Sequence, residues 1–291
     1  MSRNLVLIAS YPKSGNTWVR LVLEKLLYGG RDTFSINDLS HGFQGYPRRL
    51  MFDSIAPADA ADLLPEELDE FLPLVYRQLN DEMLQRTLTK VHDCARRSAR
   101  SGDWILPPDC VQSVIYLVRH PFDVAVSYAR FSDITVQAAV EVMSTARDAW
   151  PAQTDRLSTA LQPHIGSWSG NVRSWTEASP YNVVAIRYED LHANPQTIFP
   201  QLIAAAGFAF AAADVAAAIE ETSFDRLQAE EREHGFRERP PGARAFFRAG
   251  RPQAWREEGD LNDVLREALV RDHREAMQKF GYRADGRIDP L

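Results

Sequence analysis

The sequence contains little cysteine, little lysine and no long hydrophobic run. Its two cysteines, Cys94 and Cys110, are too few for a disulfide framework, and neither stands in a metal-ligand spacing. No apolar stretch reaches the roughly 20 residues that a membrane helix needs, and the N-terminus shows no signal-peptide pattern. We therefore expect a soluble cytoplasmic protein with ordinary thiols, no metal site and no membrane partner.

The charge balance argues against further classes of protein. A formal net charge of −7 over 291 residues argues against a surface that binds nucleic acid or anionic lipid as a whole, so an anionic ligand requires a local positive pocket. Four lysines occur among 33 lysine and arginine residues. Two of these, Lys13 and Lys90, stand where a compact point charge suits chemistry better than a planar guanidinium. At 45% hydrophobic residues, the chain can bury one large α/β core.

The strongest local pattern lies near the N-terminus. The apolar run 5–9 predicts a buried parallel strand, a polar turn follows at 10–17, and the apolar residues from Trp18 predict a helix that ends at Gly29 and Gly30. Such a turn directs free backbone N–H groups and the positive end of the helix dipole at one point.

Side chains of this turn add donors to the same point. Lys13 contributes a charge, and Ser14 and Thr17 contribute hydroxyls, so the turn is predicted to bind a phosphate. The alternative is an ordinary strand-to-helix turn with a surface lysine. The turn is not the usual triphosphate loop, because that loop has its lysine directly before the final hydroxyl.

A second strand is predicted over 88–93. Because strand side chains alternate, Lys90 and His92 point to the same face and form a candidate catalytic pair. A structural or merely exposed histidine is the alternative.

A third strand, predicted over 111–118, runs into Arg119 and a helix that begins at Pro121. Arg119 then stands at the carboxyl end of a strand and Ser127 lies two turns along the helix, at the edge where open α/β sheets bind ligands. Capping or ion pairing by Arg119, and burial of Ser127 in the core, are the alternatives.

The remaining elements are predicted by periodicity and by Pro, Gly and Ala content. A fourth buried strand, ending in polar residues, is predicted over 182–191. The segment 31–64 is irregular and is predicted to be a surface connection or a substrate-facing loop, and 130–165 lacks a clear period and is expected to cover the site. The charged stretch 228–241 is either a mobile lid or a solvated loop. Helices are predicted at 65–80, 167–175, 196–206, 211–220 and 261–280.

The run Tyr-Pro-Lys-Ser-Gly-Asn-Thr-Trp at 11–18 resembles the 5′-phosphosulfate loop of sulfotransferases that use 3′-phosphoadenosine 5′-phosphosulfate (PAPS). Four more motifs of the family follow in the same order. They are the Lys-x-His pair at 90–92, the second signature Arg-x-Pro-x-Asp-x-x-x-Ser at 119–127, the run Arg-Tyr-Glu-Asp-Leu at 187–191 and the run Arg-x-Gly at 248–250. The resemblance spans nearly the whole chain. It implies one domain, 1–291, with an α/β three-layer P-loop-like fold in which helices flank a mainly parallel sheet.

The resemblance also implies roles in sulfuryl transfer to a hydroxyl or amine of a small-molecule acceptor. His92 is the general base, and Lys13, with the N–H groups of residues 14–17, stabilises the leaving 5′-phosphate. Lys90 binds the sulfuryl oxygens. The implied cofactor-binding residues, which also hold the product 3′,5′-adenosine bisphosphate (PAP), are Lys13, Ser14, Gly15, Asn16, Thr17, Trp18, Arg119, Ser127, Tyr188, Thr222, Phe224, Arg248, Ala249 and Gly250.

Within this set the implied contacts differ by part of the cofactor. Arg119, Ser127 and Arg248 hold the 3′-phosphate, for which an arginine fork is well suited. Trp18 and Phe224 stack on the adenine, while Tyr188 and Thr222 contact its edge.

The chain departs from the family pattern at two places. The last motif usually reads Arg-Lys-Gly, whereas Ala249 stands in the middle here, which raises the question whether Arg251 replaces the lysine. A dimer motif of animal members is absent, since Asp260 and Leu261 stand where it has Thr-Val, so monomer and homodimer both remain open.

Two other functions are alternatives to sulfuryl transfer. A nucleotide kinase-like phosphotransferase is disfavoured by the order of the loop residues and by the lack of an obvious carboxylate pair for magnesium. A non-catalytic nucleotide-binding protein is disfavoured by the presence of Lys13, Lys90 and His92 together. The sequence does not indicate which acceptor is used.

Overall fold

A computed structural model describes residues 3–29, 35–39, 49–83, 85–145, 161–177, 179–240 and 242–290. The predicted irregular segments 31–64 and 130–165 lie partly outside these ranges. Helices over the described residues are α1 (Asn16–Tyr28), α2 (Arg49–Ile55), α3 (Pro65–Glu82), α4 (Pro121–Ser132), α5 (Val136–Ser144), α6 (Trp168–Thr176), α7 (Tyr188–Ala193), α8 (Pro195–Ala205), α9 (Ala212–Glu221), α10 (Phe224–His234) and α11 (Asp263–Lys279).

Four parallel strands form the central sheet, in the order β2-β1-β3-β4. They are β1 (Leu5–Ser10), β2 (Thr87–Val91), β3 (Val111–Val118) and β4 (Val183–Arg187). Ile8 of β1 lies beside Lys90 of β2, and Ser10 of β1 lies beside Leu117 of β3. The predicted α/β architecture with a parallel sheet flanked by helices is confirmed.

Both faces of the sheet are covered, which explains why β1 and β3 read as continuous apolar runs. Leu5, Leu7 and Ala9 pack in a core with α3 to α6 and α11, whereas Val6 and Ile8 pack in a second core with α1, α8 and α9. The alternation follows from the two-residue period of a strand. Within the described ranges no helix is both long and apolar enough to cross a bilayer.

Four local predictions were wrong. The segment 31–64, predicted to be irregular, contains the helix α2. The segment 182–191 is not a single buried strand, because β4 ends at Arg187 and α7 begins at the next residue. There the Arg187 side chain pairs with Asp190 at Nε–Oδ2 2.6 Å, which suits a helical turn and not an extended chain. β4 is also an edge strand, and its Ala185 is exposed.

The segment predicted to lack periodicity contains α5. Val136, Ala139, Val140 and Met143 form its buried face at helical spacing, and Thr135 caps the helix by accepting a hydrogen bond from the Ala138 N–H at 3.1 Å. The spacing was present in the sequence but covers only two turns.

The charged stretch 228–241 is not a solvated loop in its first half, since it continues α10. Glu231 is buried and accepts hydrogen bonds from the N–H groups of Phe246 and Phe247 at 2.8 and 2.9 Å. Phe236 packs with Phe247 and Leu21 in a third apolar cluster. This packing attaches the stretch to α1, and the mobility of a lid stays a prediction.

Candidate active site

One cleft lies at the carboxyl edge of the sheet, where the residues that follow β1, β2 and β3 meet. Its volume is about 1540 Å³. Every residue predicted for catalysis or cofactor binding lines this cleft except Ser14. The Ser14 hydroxyl is buried without a hydrogen-bond partner among the described residues, so its role as a donor stays a prediction.

The turn after β1 has the geometry of an anion-binding loop. Lys13 and Gly15 both have positive φ, at 70° and 99°, and α1 begins at Asn16. A Cβ on Gly15 would lie 2.5 Å from the ring of Tyr188, so glycine is required there by both backbone and space. The side-chain amide of Asn16 donates a hydrogen bond to the Ile8 carbonyl of β1 at 2.6 Å. This contact fixes the loop to the strand.

Lys13 projects between two aromatic rings. Its Nζ lies 3.9 Å from the ring centre of Phe131 and 4.3 Å from that of Phe246. Burial lowers the pKa of the Lys13 ammonium to about 7, and the nearby charges of Lys90 and Arg119 act in the same direction. An anion bound at this point would reverse part of that effect and favour the charged form.

His92 is the first residue after β2, which ends at Val91. Its Nδ1 lies 2.8 Å from the carbonyl oxygen of Ser10, and its own carbonyl accepts from the Asn171 amide at 2.9 Å. Because a carbonyl only accepts, Nδ1 carries the proton and Nε2 is the unprotonated nitrogen. Burial, with the adjacent charge of Lys90, lowers the pKa of His92 to about 3, which keeps the ring neutral.

Arg119 joins two segments of the cleft. Its guanidinium donates to the carbonyl of Lys13 at 3.2 Å and to that of Arg251 at 3.1 Å, while its buried Nε has no partner within the described part of the chain. It also lies 4.5 Å above the ring of Tyr188. An unpartnered buried donor on a cation is a favourable contact point for a phosphate oxygen.

The residues predicted to contact adenine come together at one end of the cleft. A Cβ on Gly250 would fall 2.0 Å from the ring of Phe224, so the loop passes directly against this aromatic face. The Tyr188 hydroxyl donates to the Gly250 carbonyl at 2.5 Å, and the Thr222 hydroxyl donates to Ala218 within its helix at 2.8 Å. Both hydroxyl protons are thus already used, which leaves their oxygens as acceptors.

The predicted 3′-phosphate cations differ in their partners. Arg248 lines the cleft and forms an ion pair with Glu258, which also pairs with Arg130 at 2.7 Å. The side chain of Arg251 is about half exposed, pairs with Glu257 and is not among the residues that line the cleft. The geometry therefore gives no support to Arg251 as a substitute for the missing lysine.

Two acidic residues of the site were missed by sequence reasoning. Asp123 accepts from the backbone N–H groups of Gln253 and Trp255 at 2.7 and 3.1 Å, so it fixes the loop after Gly250 to α4. The position of Asp123 in the Arg-x-Pro-x-Asp run is the sequence feature that indicates its role. Glu238 lies beside Lys90 in the cleft, and only its position in a charged stretch pointed to it.

A parallel sheet whose first strand enters a lysine-bearing loop, with an arginine and a serine after a neighbouring strand, defines a P-loop-like α/β fold. Comparison with known families is more specific. The sulfotransferase domain pattern matches residues 3–281, and the chain belongs to that family.

Individual relatives agree with this assignment. Dog sulfotransferase 1A1 is 25% identical over 233 residues, and mouse sulfotransferase 1 family member D1 is 26% identical over 192 residues. These alignments cover 77% and 66% of this chain but 65% and 55% of the relatives, so the chain spans somewhat over half the length of the curated proteins it matches.

Solved structures show the same fold. Mouse sulfotransferase SULT7A1, complexed with PAP, superposes with a TM-score of 0.58 at 18% identity, covering 96% of this chain and 90% of that one. Retinol dehydratase, complexed with retinol and PAP, gives 0.59 at 17% identity, covering 97% and 84%.

Proposed function

We propose that this protein is a PAPS-dependent sulfotransferase that transfers the sulfuryl group in line to a hydroxyl or amine of a small-molecule acceptor, with His92 as general base. Family membership supports the reaction class. PAP in the similar structures supports the donor, and retinol bound together with PAP in one of them supports a small-molecule ligand beside the donor.

The observation that carries the proposal is the orientation of His92. With Nδ1 donating to the Ser10 carbonyl, Nε2 is the basic nitrogen of a residue that lines the cleft. A neutral imidazole in this tautomer accepts the acceptor's proton as the new bond to sulfur forms. General-base catalysis of this kind is worth about 10²–10⁴-fold in rate.

The surrounding cations suit the rest of the transfer. Lys13 and the N–H groups at the start of α1 stabilise the negative charge that develops on the leaving 5′-phosphate, because they are preorganised around one point. Lys90 contributes a second ammonium for the sulfuryl oxygens. The Nε of Arg119, which has no partner among the described residues, supports a second phosphate site, and Ser127 and Arg248 line the same cleft.

The donor site is tested first by titrating the protein with PAP, ATP and AMP in calorimetry and thermal-shift assays. A ligand that binds only the folded state raises its stability by RT ln(1 + [L]/Kd). We expect tight binding of PAP and much weaker binding of ATP and AMP. A preference for ATP would favour a kinase-like phosphotransferase, and binding of none would contradict the proposal.

The base is tested with His92→Ala. We expect PAP formation from PAPS, measured against a panel of phenols, alcohols and amines, to fall by at least about 10²-fold, with PAP affinity nearly unchanged. His234→Ala changes an exposed histidine outside the cleft and serves as the matched control. Full transfer activity in the His92 variant would exclude it as the base.

A further inference from the structure

Glu238 brings a carboxylate into the cationic part of the cleft from a distant part of the chain. It lies in the turn that follows α10, two residues after Phe236, whose ring is buried in the apolar cluster against α1. The turn is also attached through Asn37, whose side chain donates to the Gly235 carbonyl at 3.0 Å and accepts from the Arg237 N–H at 2.8 Å. The three residues directly before Glu238 are therefore each anchored.

Each oxygen of this carboxylate contacts a different cation. Oε2 lies 3.1 Å from Nζ of Lys90, and Oε1 lies 2.8 Å from Nη1 of Arg20 on α1. The Glu238 side chain is 16% exposed, and that of Arg20 is 5% exposed. An ion pair this sheltered from water is screened far less than one at the surface.

We propose that Glu238 is a positioning residue for the transfer reaction, holding the Lys90 ammonium charged and directed beside His92. This role rests on the proposed function, in which Lys90 binds the sulfuryl oxygens. Arg20 in turn holds Glu238, so the three residues connect the turn after α10, the end of β2 and the first helix.

The charges around Lys90 explain why it needs this partner. Burial lowers the pKa of Lys90, Arg20 on α1 lowers it further, and Glu238 opposes both. Lys13 from the loop after β1 and His92 from the end of β2 also face it, the first as a like charge and the second as a neutral ring. Burial alone would raise the pKa of Glu238, but Lys90 and Arg20 outweigh it and bring that pKa to about 2.

The small number of lysines allows a direct measurement. With lysine labelled by ¹³C at Cε, the NMR spectrum contains four side-chain signals, from Lys13, Lys25, Lys90 and Lys279. Loss of one signal in Lys90→Arg assigns that residue. We expect the Lys90 titration midpoint to move to lower pH in Glu238→Gln, whereas the Lys25 and Lys279 midpoints stay in place.

A matched control breaks an equally long pair at the surface. Lys279 Nζ lies 3.1 Å from Glu177 Oε1, but these side chains are 38% and 47% exposed. Glu177→Gln should move the Lys279 midpoint only slightly, because exposed ion pairs contribute little. Glu238→Asp retains the charge on a shorter side chain and should give an intermediate Lys90 midpoint, which keeps the test decisive if the glutamine variant does not fold.

Binding on the same samples links the contact to the reaction. We expect the ratio of PAPS affinity to PAP affinity to fall as Lys90 loses its proton. In Glu238→Gln this fall should occur at a lower pH than in the wild type. A Lys90 midpoint that does not differ between the wild type and the variants overturns the role of Glu238, even if PAP binds tightly. Absence of PAP binding by the wild type instead overturns the proposed function, so the two failures are distinguishable.

Discussion

Lys13 gives a quantitative prediction about the binding of PAP. Its pKa of about 7 in the free protein arises first from burial and then from Lys90 and Arg119. If the 5′-phosphate binds in the turn after β1, its charge restores the protonated form of Lys13. PAP binding should then take up protons from the buffer, and PAP affinity should fall as pH rises above 7.

The size of the uptake follows from the pKa. A group with a pKa of about 7 that becomes fully protonated in the complex takes up about 0.9 proton per PAP at pH 8 and about 0.1 at pH 6. At pH 8 the 3′- and 5′-phosphates of PAP, each with a second pKa of about 6, are already almost fully ionised and contribute little to the balance. His92, with a pKa of about 3, is neutral at both pH values.

The assay is titration calorimetry of PAP at pH 8 in phosphate-free buffers that differ in ionisation enthalpy. The slope of the measured heat against that enthalpy is the number of protons exchanged. Lys13→Met should lose the uptake, and Lys25→Met, which removes a lysine that pairs with Glu221 outside the cleft, should retain it. No uptake by the wild type, or equal uptake by Lys13→Met, would refute the reasoning.

Two further predictions concern residues that shape the cofactor end of the cleft. Gly15→Ala should weaken PAP binding and lower the melting temperature, because it forces a positive φ and a ring contact that together cost about 1–3 kcal/mol. Gly259→Ala, with open space around it, should change neither quantity, and equal losses in both variants would contradict this explanation. Glu258→Gln should tighten PAP binding by up to roughly fivefold, as it releases Arg248 from a partly exposed pair worth about 0.2–1 kcal/mol. The control Glu257→Gln removes the same charge from the residue beside Glu258. An equal gain in PAP affinity from both variants, measured by calorimetry, would indicate a general charge effect.

The elements that were predicted well are those whose signal is local. The strand 111–118 matches β3 at both ends, and the helix predicted over 65–80 is α3, with Pro65 in its first turn. Such elements are specified by apolar period and by end residues, which are properties of a short window. α5 was missed since its apolar face spans only two turns.

The arrangement of strand ends was also predictable. Parallel strands place their carboxyl ends at one edge, so Lys13, Lys90 and Arg119 were expected to meet there, and the sheet order confirms that the three strands are neighbours. In contrast, no local pattern distinguishes Ser14 from Thr17. The first is buried beneath the loop and the second lines the cleft, which depends on how α1 packs on the sheet.

The sequence by itself thus determined the fold class, the family and the cationic residues that meet in the cleft, because these follow from periodicity and from motifs at strand ends. The tertiary structure decided the partners and protonation of the charged groups. The tautomer of His92 depends on a carbonyl 82 residues away, and Lys90 pairs with Glu238, 148 residues away. Contacts at such separation exist only once the chain has packed, and burial then sets their strength.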